Sequence, residues 1–229
     1  MRLLAIETAT TVCAAAVVSD GKILSEISLN EKYIHAEKLM TQVDGVLERS
    51  GCSLDQLEGI AISIGPGSFT GLRIGLSVAK GLSFAAGKKL IAVPTLHALA
   101  QRVVDGGVAL EGFVLAVLDA RREEVYREFF RVIDGRAVSF AGPLDVSITS
   151  LSGDAPEGNI WITGDASAKV QSVLGTGSPR WNLVPEHLAC CSAGAVGLLG
   201  EALMAKGRIA DPATLEPLYI KEFFFRQQS

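Results

Sequence analysis

The stretch GPGSFTGLRIG, Gly65–Gly75, sets four glycines and a proline within eleven residues, directly behind the apolar run Gly59–Ile64. An apolar run that ends in a glycine turn and continues as a helical pattern restricts the chain to folds in which a buried strand enters a helix. Neither familiar phosphate template fits this turn. A Walker loop needs Lys and then Ser or Thr after its last glycine, whereas Gly71 is followed by Leu72 and Arg73. A dinucleotide fingerprint would need glycine where Thr70 stands. Gly65-Pro66-Gly67 still turns into a helix N-terminus, a place where backbone N–H groups can meet an anion.

The helix expected over Leu72–Ala86 is apolar nearly all round. Leu72, Ile74, Leu76, Val78, Leu82 and Phe84 leave only Arg73, Ser77 and Lys80 clearly polar, so more than one side has to be covered. Gly71, Gly75, Ala79 and Ser83 recur every four residues and form one row of small side chains. Interior glycines such as Gly75 and Gly81 cost about 1 kcal/mol each relative to alanine. Close approach of another helix would offset that cost. The neighbour belongs either to this chain or to a partner chain, and the row by itself leaves both open.

The remaining sequence gives two similar units. Leu3–Ile6 reads as a buried strand, Thr8–Thr11 as a turn, and Val12–Val18 with Lys22–Leu29 as a hairpin closed by Asp20-Gly21. A helix is expected over Ala36–Arg49, ended by Gly51, and the segment KKLIAVP leads into a third helix over Leu96–Val104. After Asp105-Gly106-Gly107 the pattern restarts as strand, turn and strand, with an Asp134-Gly135 turn. This weak repeat predicts two lobes, residues 1–104 and 105–229, with the last segment free to pack back on the first. A strand over NIWITGD, helices over Ala166–Leu174 and Cys191–Ala205, and loops over 142–159 and 175–189 complete the reading.

Composition narrows the function classes. A chain of 229 residues with 48% hydrophobic residues buries a substantial core, and its net charge of -4 lacks the basic field of a free-standing nucleic-acid binder. Any RNA it serves is expected to be held mainly by a partner. Cys13, Cys52, Cys190 and Cys191 form no CxxC pair and read as reduced, mostly buried thiols. Glu7 interrupts the apolar N-terminal stretch, which reads as strands rather than as a leader, and no run reaches membrane-spanning length. The expectation is a soluble cytoplasmic protein.

The segments LLAIETATTVCAAAV, ISIGPGSFTGLRIGLSVAKGL, VLDARREEVY and EPLYIKE resemble the bacterial TsaB (YeaZ) family over nearly the whole chain. The resemblance implies an α/β chain with the two-lobed actin-like, sugar-kinase-like ATPase fold, each lobe a mixed five-stranded sheet with flanking helices. It implies a non-catalytic role in making threonylcarbamoyladenosine in tRNAs that read codons beginning with A. The partners it implies are TsaD as heterodimer, TsaE in the larger complex, a homodimer when alone, and tRNA only indirectly. ATP or ADP would enter at the level of the complex. The helices Ala36–Arg49 and Leu72–Ala86 correspond to the family's bundling pair, which makes Leu39, Met40, Val43, Gly71, Arg73, Gly75, Ala79 and Ser83 the expected partner contacts.

By the same resemblance, the sister subunit's metal-binding histidines fall at Thr95 and Leu99, with His97 off register. One histidine without a second ligand is poor metal chemistry, so His97 is assigned to packing or capping, and His35 and His187 to surface or capping roles. The first phosphate turn reads Glu7-Thr8-Ala9-Thr10-Thr11 and the second Asp119-Ala120-Arg121-Arg122, neither with glycine. Thr8, Thr10 and Asp119 remain as nucleotide contacts, with turn stabilisation as their alternative role. The expectation is no catalytic residue and no metal site. A small-molecule kinase of the same fold and a metallopeptidase stand as the alternatives.

Overall fold

The computed structural model describes residues 1–174 and 180–220. The first sheet is built from β1 (Arg2–Glu7), β2 (Val12–Ser19), β3 (Lys22–Asn30), β4 (Gly59–Ser63) and β5 (Lys89–Val93), in the order β3-β2-β1-β4-β5. β1, β2 and β3 form an antiparallel meander, and β4 and β5 add in parallel beyond β1. The second sheet repeats this plan with β6 (Phe113–Asp119), β7 (Glu124–Ile133), β8 (Arg136–Ser147), β9 (Ile160–Thr163) and β10 (Trp181–Leu183). Here β6 to β8 are the meander, and β9 and β10 the parallel additions.

Among the described residues five α-helices complete the layers: α1 (His35–Ser50), α2 (Phe69–Ala86), α3 (Thr95–Asp105), α4 (Ser167–Leu174) and α5 (Ala193–Ala205). Successive residues of β1 serve different cores, because side chains alternate across a strand. Leu4 and Ile6 pack with Leu39, Val43 and Leu76 of α1 and α2 on the outer face. Leu3 and Ala5 join a central core that holds α3, α5 and one face of the second sheet. The helices cross over: α5, last in the chain, packs on β1 and β2, while α3 packs on β6, β7 and β8. A third core lies outside the second sheet, where Phe129, Leu151 and Val170 meet.

Three local outcomes differ from the sequence reading. Residues 142–147 belong to β8 rather than to a loop. Gly142-Pro143 falls where the β7–β8 register shifts, on an edge strand, one of the places a sheet tolerates proline. Residues 181–183 form the short edge strand β10, and the rest of the loop expected over 175–189 includes residues 175–179, outside the described residues. α2 starts one turn earlier than expected, because the Ser68 hydroxyl accepts the Gly71 N–H and caps it.

Candidate functional site

The glycine helix is seated on the turn that follows β1. A Cβ placed on Gly71 would strike the Thr8 carbonyl oxygen, and one on Gly75 would strike the Thr8 hydroxyl, both well inside van der Waals range. Ala79 and Ser83 continue that row at 0% and 3% exposure. Absence of side chains along the row therefore lets α2 press against its own lobe. The expectation that Gly71, Gly75, Ala79 and Ser83 contact a partner is corrected: four-residue spacing reports close approach, and here the neighbour is the chain's own turn and β4. Leu39 and Val43, each 1% exposed, are likewise core residues of α1 and not partner contacts.

The outward face carries a different set. Arg73, Ser77, Gly81 and Phe84 run along the solvent side of α2, with Phe84 90% exposed and open space around the Cβ position of Gly81. Met40 is 43% exposed on α1, which packs beside α2 on the same sheet. Of the eight residues expected at the interface, Met40 and Arg73 are on this surface. Ser77, Gly81 and Phe84 were legible as helix residues, but their outward orientation needed the seat on Thr8 to be known.

A cleft of about 750 Å³ opens at the carboxyl ends of the strands, with Thr10, Thr11 and Asn30 on one side and Gly164, Asp165 and the segment Glu186–Cys191 toward the other. Such a fold implies a nucleotide at this place, so the donors were tested against a phosphate. The Ala9 N–H already binds the Glu7 carboxylate at 2.5 Å, and the Val12 N–H binds the Thr10 hydroxyl at 3.2 Å. Thr8 is 0% exposed beneath α2, with its hydroxyl buried and unpartnered, so it is not a cleft residue. Thr10 does line the cleft. Asp119 is half-exposed and paired with Lys169 at 3.1 Å, and its N–H binds Asp165 at 2.9 Å. The N–H groups of Ala9, Val12 and Asp119 are thus already taken by side-chain oxygens, which leaves a phosphate fewer donors in these turns.

Glu7 is the electrostatic anomaly of the turn. Its carboxyl is 1% exposed, and burial pushes its pKa up to about 7, against the opposing effect of the Ala9 N–H and the Ser63 hydroxyl. The Cys191 thiol is pushed well up by burial, helped by the charge of Glu7. All four cysteines are free, and Cys190 is the half-buried one.

Two of the three histidines are tied into the fold, while His187 lies exposed at the cleft. His97 stacks on Phe130 with centroids 5.2 Å apart and shares a 2.9 Å hydrogen bond with the Ala137 carbonyl; burial lowers its pKa. His35 is not the surface residue expected, being 7% exposed with Nε2 3.2 Å from the Val12 carbonyl, which ties α1 to β2. Thr95 is sealed and accepts the Gly65 N–H at 3.0 Å, and Leu99 is 2% exposed. Among the described residues no group of three His, Cys, Asp or Glu side chains is placed to hold a metal ion. No helix among them is long and apolar enough to cross a membrane.

The segment after α5 reaches the first lobe at a place that no residue pattern gave. After α5 the chain bridges to the outer edge of β5 at Ala210, then lies along the turn before α2, where the Leu218 N–H donates to the Ile64 carbonyl at 2.7 Å. Tyr219 follows, and its ring meets Phe69 in a tilted contact with centroids 5.3 Å apart. The segment EPLYIKE contains no periodic pattern that could have placed it.

Residues 22–191 match the family described as tRNA N6-adenosine threonylcarbamoyltransferase. The chain is 40% identical over 126 residues to the tRNA threonylcarbamoyladenosine biosynthesis protein TsaB of Escherichia coli K12, a match covering 55% of this chain and 53% of that protein. The matched part thus spans about half the length of that curated relative. A solved structure, YeaZ from Pseudomonas aeruginosa, superposes with a TM-score of 0.83 at 27% identity, covering 95% of this chain and 99% of that one. The ROK hexokinase of Thermus thermophilus shares the fold alone, at a TM-score of 0.52 and 13% identity over 90% of this chain and all of that one.

Proposed function

Because the chain belongs to the tRNA N6-adenosine threonylcarbamoyltransferase family, on its TsaB (YeaZ) branch, we propose that it is the non-catalytic subunit that supports threonylcarbamoyl transfer to tRNA. In this reading the chain pairs with the TsaD-type transferase subunit, and TsaE joins the larger complex. ATP or ADP is handled at the level of that complex, and tRNA is held mainly by the partner. The partner face lies within residues 1–104, and the second lobe is built on β6 to β10, with α5 packed back on the first sheet. A homodimer through the same face is the state of the chain alone.

The observation that carries the reading is the outward face of α1 and α2. It presents Phe84 almost fully exposed beside the side-chain-free Gly81 on α2, and Met40 exposed on α1, in a lobe whose own core is complete without them. An exposed aromatic beside a flat ridge is the composition of a contact surface. The Ala9, Val12 and Asp119 N–H groups, already taken by side chains in the cleft turns, support assigning the chemistry to the partner.

The test is Gly81→Arg. Open space at that Cβ means the chain folds and melts as before, while the long cation stands in the contact. Binding to the transferase subunit in a titration, and threonylcarbamoyladenosine formation in a reconstituted reaction, should both be lost. Full modification by Gly81→Arg would remove this face from the assembly.

A further inference from the structure

The partner face does not end with α2. At its N-terminal end the Arg73 guanidinium lies 4.0 Å from the centre of the Phe69 ring, and Arg73 Nε donates a 3.0 Å hydrogen bond to the Tyr219 hydroxyl. Tyr219 is 146 positions away in sequence, brought there by the strap that the Leu218–Ile64 hydrogen bond pins down. Phe69, Arg73 and Tyr219 are all exposed, at 38% and 37% for the two aromatic residues. They continue the ridge of Ser77, Gly81 and Phe84.

Resting on the reading above, we propose that Tyr219 makes the C-terminal strap a third element of the partner face. It acts as a positioning residue that fixes Arg73 to meet a carboxylate of the transferase subunit. Three observations support a carboxylate as the group received. Arg73 forms no ion pair among the described residues, so its charge is not spent internally. Its ring-facing side is taken by Phe69 and its Nε by Tyr219, which leaves the two-nitrogen end of the planar guanidinium as the part a partner can reach. That end matches a carboxylate with two parallel hydrogen bonds. The other charge on α2 is also positive, the half-buried Lys80 two turns further along, whereas α1 carries Glu37, Asp44 and Glu48 against Lys38 and Arg49. An acidic group on the partner is thus steered to the α2 end of the face. Holding a long side chain in its bound geometry beforehand reduces the entropy lost on docking.

The experiment is a double-mutant cycle on binding to the TsaD-type subunit from the same genome, using Tyr219→Phe, Arg73→Ala and the double variant. Tyr219→Phe keeps the ring contact with Phe69 and removes only the hydroxyl. It should weaken binding about 5-fold, Arg73→Ala about 30-fold, and the double variant no more than Arg73→Ala alone, because the hydroxyl acts through Arg73. Arg73→Lys should not restore the affinity, since it lacks the planar fork. Each variant should melt within a degree or two of the parent, Tyr219 and Arg73 being exposed. Unchanged affinity in Tyr219→Phe, strictly multiplicative losses, or losses seen only in self-association of this chain would each overturn the assignment. Gly81→Arg in the same titration separates the two ideas. Its loss of binding with Tyr219→Phe and Arg73→Ala unaffected rejects only the strap, while unaffected binding by all of them rejects the partner face too.

Discussion

The two sheets share one plan and part ways at the ends of their first strands. Both run a meander followed by two parallel additions, and both close the second hairpin with Asp-Gly at positive φ, 51° and 75° at Asp20-Gly21 and 48° and 69° at Asp134-Gly135. The first sheet carries α1 of 16 residues and α2 of 18 on its outer face. In the second, a single 3-10 turn at Ile148–Ser150 stands where α1 would be, and α4 has eight residues. Glu7, at the end of β1, is buried with its carboxylate on the Ala9 N–H, while Asp119, at the end of β6, is half-exposed and salt-bridged. One plan thus yields a lobe elaborated for a helical outer face and another kept minimal. The difference places the candidate contact surface on the first lobe.

The sharpest way to break that comparison is to replace each of the two acids. Glu7 has its folded pKa raised from 4.5 to about 7, so the native state binds its proton more tightly than the unfolded chain does. For a carboxyl shifted in this direction stability falls as pH rises from about 4.5 to 7 and stays lower above it. The shift corresponds to about 3 kcal/mol. Urea unfolding of the parent and of Glu7→Gln at pH 5 and pH 8 should show the parent losing about 3 kcal/mol more than the variant over that interval. Asp119→Asn should leave the unfolding midpoint nearly unchanged, because an exposed ion pair contributes little. Equal slopes in the parent and Glu7→Gln would mean that the turn under α2 is wet.

Next in size is the seat of α2 itself. Gly71→Ala pushes a methyl group into the Thr8 carbonyl, a backbone atom that cannot rotate aside, and should cost about 2 kcal/mol in the same urea measurement. Ala168→Leu on the exposed side of α4 should move the midpoint hardly at all. A Gly71→Ala protein as stable as the parent would show that the row of small residues faces something other than Thr8.

These cases also show what the sequence could and could not reveal. Strand and helix positions were legible because Leu3–Ile6, Ala36–Arg49 and Gly59–Ile64 carry clear periodicity and are bounded by turn residues. The hairpins were legible from Asp20-Gly21 and Asp134-Gly135. The extent of β8 was not, because Gly142-Pro143 gives a loop signal that an edge strand with a shifted register absorbs. At the site, spacing identified Gly71, Gly75, Ala79 and Ser83 as a close-packing ridge but held no information on its direction. A helix with apolar residues nearly all round has no weak face from which to choose. The turn at Thr8 decides the direction, and its contact spans more than sixty positions. Tyr219 was invisible for the same reason: its role depends on a strap whose path is set by one backbone hydrogen bond to Ile64.

The smallest effect tests the turns themselves, with a matched pair of opposite sign. Arg121 and Arg122 sit at φ 75° and 55° in the second-lobe turn, a left-handed conformation that costs a side-chain-bearing residue about 1 kcal/mol. No residue between Thr8 and Thr11 in the first-lobe turn has positive φ. Arg122→Gly relieves that cost and keeps the Arg122 carbonyl that Lys169 binds, so it should stabilise the chain by about 0.5 kcal/mol, with part of the gain offset by the extra freedom of glycine when unfolded. Thr10→Gly gains nothing from φ and loses the hydroxyl that accepts the Val12 N–H, so it should destabilise by about 1 kcal/mol. Denaturant midpoints resolve both changes. If both glycines shift stability in the same direction, the two turns are conformationally alike, and the divergence of the lobes lies in their helices alone.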